Sequence, residues 1–490
     1  MRARAPRRSE ILAALVAFGL GACGQGGDEV LPPRGQILLY FDTDAPVPAA
    51  PGKPQGPDDG APLFDTLSIE VYEPGQTTPC AGCAREFALD VEKLGSRLVS
   101  VGIPARPGAA GYRVRARLFP AAWVTRCPPA GGAPAQVNTA AADFHPRPEA
   151  TIDVTAALPV VAAEGILERT LLLATDSVGT RRGTLDAPVE TTEGRPEPSR
   201  VGTWPAAQRT PCKGDPRPDE VCVPGGAYWM GNPRMRHDCG AVSSSSFLVP
   251  HLVVLSPFFL QKIEVTVGAF RAGGGNPRYV TPWGGSYTSG KALKDRCTFT
   301  PSPGPHEAIA LNCVEWPPAS DFCQKRGGDL PTEAQFEYVA SALGGSFYVW
   351  GEDDPKCEDT VFARGWREMG LAPDDILCKP AKQGPGPLPF DSQENPRNLD
   401  RLVLPTGTVF DLIGNVHELS ADFHGAPDGA CWSKAGILTD PLCDLELPGA
   451  GHAFRGGAWF RAANPAAARG GLPRGQSAMG VGFRCARPGR

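Results

Sequence analysis

The sequence predicts two unlike folded parts: an all-β sandwich over residues 35–176, then a loop-rich domain of short strands and two helices over residues 212–490. Three observations carry this. Apolar runs in the first third of the chain repeat every second residue, with no helical pattern between them. Beyond residue 212, two segments carry convincing helix signals. Finally, 59 Gly and 53 Pro among 490 residues favour turns and irregular connections over long helices. With 41% hydrophobic and 21% charged residues, the chain can bury ordinary globular cores. The formal net charge of -5 offers no basic field for nucleic acid, which is not expected as a partner.

Residues 1–23 come first. Arg2, Arg4, Arg7 and Arg8 precede an apolar run from Ile11 to Leu20 that is too short for a stable membrane anchor, the pattern of a secretion signal. It ends in Leu20-Gly21-Ala22-Cys23, which resembles the bacterial lipobox, where the cysteine is acylated and becomes the new N-terminus. Two or more acyl chains hold a protein durably on a membrane. The expected location is therefore the bacterial cell envelope, with everything after Cys23 outside the cytoplasm. A plain signal peptide with an incidental cysteine is the alternative.

Residues 24–34 read as a Gly-rich tether. The sandwich strands follow as "ILLYF" at 37–41, "TLSIEVY" at 66–72, "EFALDV" at 86–91, "LVSVGI" at 98–103 and "YRVRARLF" at 112–119. In the last, Tyr112, Val114, Ala116 and Leu118 should face a core and Arg113, Arg115 and Arg117 water, in an antiparallel sheet. Residues 177–211 carry few large apolar side chains and many turn formers, and read as a linker.

The chain has fifteen cysteines, and fourteen remain once Cys23 is set aside, an even number that reads as a disulfide framework in an exported chain. Cys80 and Cys83 form a C-x-x-C with strand and turn flanks. A cross-link is the expectation, redox chemistry the alternative. Eleven cysteines fall in the second domain and three in the first. One cross-domain bond or two free thiols must then exist.

In the second domain "PPASDFCQKRGG" at 317–328 has Pro at its start and a Gly pair at its end, as a helix requires. "LPTEAQFEYVASALGG" follows, with Thr332 and Gln335 in capping-box spacing and Phe336, Val339, Ala340 and Leu343 forming one apolar stripe.

Five ordered segments carry a resemblance: "VPGGAYWMG" at 223–231, "PFFLQKIEVTVGAF" at 257–270, "LNCVEWPPASDFCQKRGGDLPTEAQFEYVA" at 311–340, "FDLIGNVHELSADF" at 410–423 and "FRGGAW…GVGFRCAR" at 454–487. Together they resemble the formylglycine-generating enzyme, or sulfatase-modifying factor, family. That resemblance implies a C-type-lectin-like α+β fold for this part and leaves the sandwich outside it. It also implies a bond between Cys323 and Cys485, worth about 5 kcal/mol at most by chain entropy. Cys357 with Cys378 and Cys431 with Cys443 each bracket a Gly/Pro-rich insertion and are expected as local closures.

The resemblance maps a calcium site onto the side chains of Asp411 and Glu418 and the carbonyls of Gly414 and Val416. These are hard oxygen donors in a turn. A salt-bridged or capping role for both acids is the alternative. The family's other calcium site would begin at Arg364, a residue that cannot replace its Asn ligand.

Catalysis is where the match breaks. Family enzymes oxidise a substrate cysteine to formylglycine with oxygen and copper held by two cysteines, because Cu(I) favours soft thiolates. Those positions here are Arg461 and Ala466, the family's active-site Ser is Ala458, and the Trp of its "GNVWE" motif is His417. Copper is therefore not expected. His417, Glu418, Asp422, His424 and His452 include metal-ligand types, but their spacing matches no metal signature. The resulting expectation is a lipoprotein whose enzyme-family domain is a non-catalytic binding or structural module with a protein or carbohydrate ligand. Two alternatives stand beside it: an active enzyme, forming formylglycine or running another metal-dependent reaction in the same groove, and a binding function located in the sandwich.

Overall fold

The structure is a computed structural model. It describes residues 35–53, 60–95, 99–104, 108–125, 145–161, 163–196, 200–231, 250–282, 296–364, 378, 386–392, 396–426, 429–434, 436–446, 450–461 and 463–490. The signal, lipobox cysteine and tether expected over 1–34 lie outside these residues, as do Cys127 and Cys239. Among the described residues no helix is long and apolar enough to cross a membrane.

Besides the short pair of Val124–Thr125 with His145–Pro146, the described residues of the N-terminal part form two sheets. One runs in the order Thr192–Glu193, Ile166–Leu173, Gln36–Thr43, Ser100–Ile103; the other runs Arg181–Arg182, Ile152–Ala157, Arg113–Phe119, Thr66–Tyr72, Ala84–Ala88, with Val189–Glu190 also on Ile152–Ala157. Their apolar faces, including Ile37, Leu39, Leu67, Ile69, Val114 and Ala116, share one buried cluster. Alternation put the right residues inside: Tyr112, Val114, Ala116 and Leu118 are all buried. The intervening arginines do not simply face water. Arg115 is held by Asp153 at 2.6 Å and Arg117 by Glu70 at 2.6 Å, cross-strand pairs on the outer face.

The antiparallel expectation needs correction. Gln36–Thr43 pairs in parallel with Ile166–Leu173 over all eight residues. A parallel pair needs a long crossover, and the strands of the second sheet provide it between residues 43 and 166. The stretch 177–211, expected as a linker, adds three short strands to these sheets and buries Trp204. Short polar strands lack the apolar run that marks a strand in sequence.

Among its described residues the C-terminal part builds four small sheets and three α-helices from short segments. Thr332 caps the helix Glu333–Ala340 as its spacing requires: its hydroxyl accepts from the Gln335 N–H at 3.1 Å, and Gln335 Oε1 accepts from the Thr332 N–H at 3.0 Å. The helix Trp316–Lys325 starts with Pro and stops before Gly327 and Gly328. Gly328 is required by contact, since a Cβ there would lie 2.1 Å from the Ala486 carbonyl oxygen. Next to that contact Cys323 bonds Cys485. Cys357–Cys378, Cys431–Cys443 and Cys80–Cys83 are bonded as expected, together with Cys212–Cys222 and Cys297–Cys313.

The two parts share apolar surface. Ala227 and Leu252, from the sheet of Gly226–Met230, His251–Leu255 and Ile437–Thr439, are buried within the N-terminal cluster. The Trp229 indole N–H donates to the Leu63 carbonyl at 2.6 Å.

Candidate functional site

The loop 411–416 and the start of strand His417–Phe423 are held from below by buried charge. The Asp400 carboxylate accepts the backbone N–H groups of Leu412, Ile413 and Gly414 at 2.8–3.0 Å and the Thr360 hydroxyl at 2.6 Å. Glu264 accepts from Val416 N–H at 3.0 Å and from the Asn415 amide at 2.5 Å. Arg484, in the "GFRCAR" segment, donates from two nitrogens to the Glu418 oxygens at 2.6 Å each and reaches the carbonyls of Phe410 and Asp411. Asp411 itself, with φ +55°, has no hydrogen-bond donor to its carboxylate among the described residues. Burial pushes the carboxyls of Glu264, Asp411, Glu418 and Asp400 above their usual range; Asp411 and Glu264 also repel neighbouring carboxylates.

The "RGG" glycines fit against this loop. Gly456 has φ +75°, and a Cβ on Gly457 would come within 2.1 Å of the Ile413 carbonyl oxygen. Beside them His417 is buried. Its Nδ1 donates to the Gly456 carbonyl at 2.9 Å, which fixes the tautomer and leaves the lone pair on Nε2. Burial lowers its pKa to about 4, and the nearby Arg461 charge adds to the effect. Ala458 and Ala466 are buried, whereas Arg461 is exposed, with its guanidinium 5.2 Å from the Phe460 ring centre. Arg364 is buried, its backbone N–H on the Trp459 carbonyl at 2.7 Å.

The other residues of the sequence-adjacent set are not brought together. Glu418 turns to Arg484, and Asp422 accepts from the N–H groups of Glu333 and Cys443. His452 stacks flat on Trp316 and also on Phe423. Among the described residues no group of three or more His, Cys, Asp or Glu is arranged to hold a metal. Sequence reasoning missed Arg484, Glu264 and Asp400, and also the buried cluster of Glu333 and Glu337 with Arg455 and Arg469. Its usable signal was a Glu pair one helical turn apart beside two arginines in the last motif.

A cross-linked α+β domain of short strands and two main helices, with a charged, glycine-lined loop beneath its last motif, defines the C-type-lectin-like sulfatase-modifying factor fold. Residues 206–488 match the family model described as "Sulfatase-modifying factor enzyme 1-like domain", and the chain belongs to that family. Similar solved structures include PvdO from Pseudomonas aeruginosa, 19% identical, covering 57% of this chain and 99% of that one with a TM-score of 0.38. CarF is 16% identical, covering 55% of this chain and 98% of its own, TM-score 0.33. Treponema denticola variable protein 1 is 15% identical, covering 56% and 100%, TM-score 0.32. No curated protein matches the chain.

Proposed function

We propose that the chain is an envelope-anchored lipoprotein whose sulfatase-modifying factor domain is a non-catalytic binding or structural module. One observation carries the reading. The two positions where family enzymes hold copper through cysteines are an exposed Arg461 and a buried Ala466, and all twelve described cysteines are in disulfides. Among the described residues no thiolate is left for Cu(I), which needs soft donors. Six disulfides also suit an oxidising compartment, in keeping with acylation at Cys23 and export. Incubated with a cysteine-containing sulfatase peptide, oxygen and copper, the purified mature protein should return the peptide with its thiol unconverted. Formylglycine in the product would overturn the reading.

Asp411 and Glu418, with the carbonyls of Gly414 and Val416, are proposed to hold calcium. Four buried carboxylates surround the loop, one guanidinium is bonded among them, and Asp411 has no hydrogen-bond donor among the described residues; both Glu418 oxygens are bonded to Arg484, so Glu418 would bind the ion only by sharing an oxygen with that guanidinium. Calcium would supply charge compensation and fasten the loop rather than perform chemistry. Stripping the protein with chelator should lower its melting temperature, and added calcium should restore it, by about 2.7 kcal/mol at a hundredfold excess over Kd. Asp411→Ala should abolish the calcium response. An unchanged melting curve in the wild type would refute the site.

A further inference from the structure

A cavity of about 250 Å³ lies at one end of strand His452–Arg455: His452 lines it, while at the other end Arg455 leads into Gly456 beside His417. Its walls are aromatic and apolar. Trp316 and His452 stack with ring centres 3.8 Å apart and 9° between planes, Phe423 stacks on the same imidazole at 4.4 Å, and Leu472 closes the floor. The Trp316 indole N–H is already engaged by the Ser420 carbonyl at 2.9 Å, so that wall offers a ring surface rather than a donor.

The rim is acidic. Glu446 is held by Arg474 at 2.7 Å, both exposed, while Asp444 has no ion-pair partner among the described residues. The segment carrying both acids is fixed at its root: Cys443 is bonded to Cys431, and its backbone groups bond to Asp422 and Phe423. Within the cavity His452 is 8% exposed, and its Nδ1 is buried without a hydrogen bond. Burial lowers its pKa and the Arg474 charge adds to this, against the Asp422 and Ala421 carbonyls and the Glu446 carboxylate, which favour the charged form. A neutral imidazole always presents one lone pair, an acceptor for an N–H.

We propose that this cavity binds an organic cation bearing N–H donors, an alkylammonium or alkylguanidinium group, with the stem against Trp316, Phe423 and Leu472 and the charged head between His452 and Asp444. Three features select that class over others. Aromatic walls attract cations and alkyl stems together. The rim's one guanidinium is already spent on Glu446, leaving a net negative lip that disfavours anions. The solvent-facing ring nitrogen of His452, Nε2, has no hydrogen-bond partner among the described residues and gains from an N–H donor that a quaternary ammonium cannot give.

The test is calorimetric titration of the full chain with n-butylamine, n-butylguanidine and the neutral isostere n-butanol. Both cations should bind and butanol more weakly. Asp444→Asn should weaken the cations about threefold, the scale of one exposed charge pair. Arg474→Gln should strengthen them by a similar factor by releasing Glu446, and neither surface change should alter butanol. Butanol binding as well as the cations, no binding of either cation at millimolar concentration, or charge variants with no effect or reversed signs would each overturn the proposal. Blocked Gly-Lys-Gly and Gly-Arg-Gly peptides separate the sources. Binding equal to that of the free amines assigns a protein side chain as ligand, and loss of binding assigns a free amine. Failure here leaves the non-catalytic reading standing, because that reading is tested at Arg461 and Ala466.

Discussion

Asp422 shows how far one residue's chemistry departs from its usual behaviour. It is fully buried, and desolvation, with Glu333 close by, pushes its carboxyl up to about 7. The folded state therefore holds a proton that the unfolded state releases near pH 4. A carboxyl raised in this way stabilises the fold fully at low pH and loses that contribution as pH rises from about 4 to about 7. Relative to Asp422→Asn, the wild type should lose unfolding free energy across that window; a difference independent of pH would remove the claim. At this scale the sequence was only partly legible. His417, Glu418, Asp422 and His424 look like one cluster when read along the chain, but a strand sends neighbouring side chains to opposite faces: the first three bond to separate partners, and the Nε2 of His424 is buried without a hydrogen bond among the described residues. The partners that matter most, Arg484 and Glu264, lie 66 and 151 residues away in sequence from Glu418 and Asn415 respectively. Nothing local announces them.

Elements were more readable. The helix Glu333–Ala340 begins where Thr332 and Gln335 predict, because both halves of a capping box are short-range. Thr332→Ala should cost about 1 kcal/mol in denaturant unfolding, and Thr332→Ser should recover most of it. A null result for the alanine variant would mean that packing alone fixes the helix start. The apolar alternation of Arg113–Phe119 likewise marked the buried face correctly. What alternation could not supply was direction. Whether Gln36–Thr43 runs parallel or antiparallel to its neighbour depends on a strand beginning 130 residues later. The strands at 181–193 were hidden for another reason: pairing to an existing edge lets pairs of residues, most of them polar, form a strand without an apolar run.

For the whole molecule the decisive feature is the shared core. Ala227 and Leu252 lie inside the N-terminal cluster, and Trp229 is bonded across to Leu63. Calorimetry of the oxidised chain is expected to show a single cooperative transition, with two resolved transitions as the outcome that would separate the parts. The bond between Cys323 and Cys485 spans 162 residues and ties the residue just before the strand Ala486–Pro488 back to the helix Trp316–Lys325. Such a link restricts the unfolded chain most. The family resemblance implied this pair, and its place in the fold follows from the Gly328 contact with Ala486.

The parallel pairing of Gln36–Thr43 with Ile166–Leu173 has a mechanical consequence. The strand also pairs with Ser100–Ile103 on its other side, so it enters the sheet flanked by two ladders. A tug on the N-terminus directed along this strand strains the rungs of both ladders together instead of peeling them one at a time. Resistance to such a tug is governed by the unfolding rate rather than by equilibrium stability. The first described strand therefore meets a pull on the N-terminus with both ladders at once.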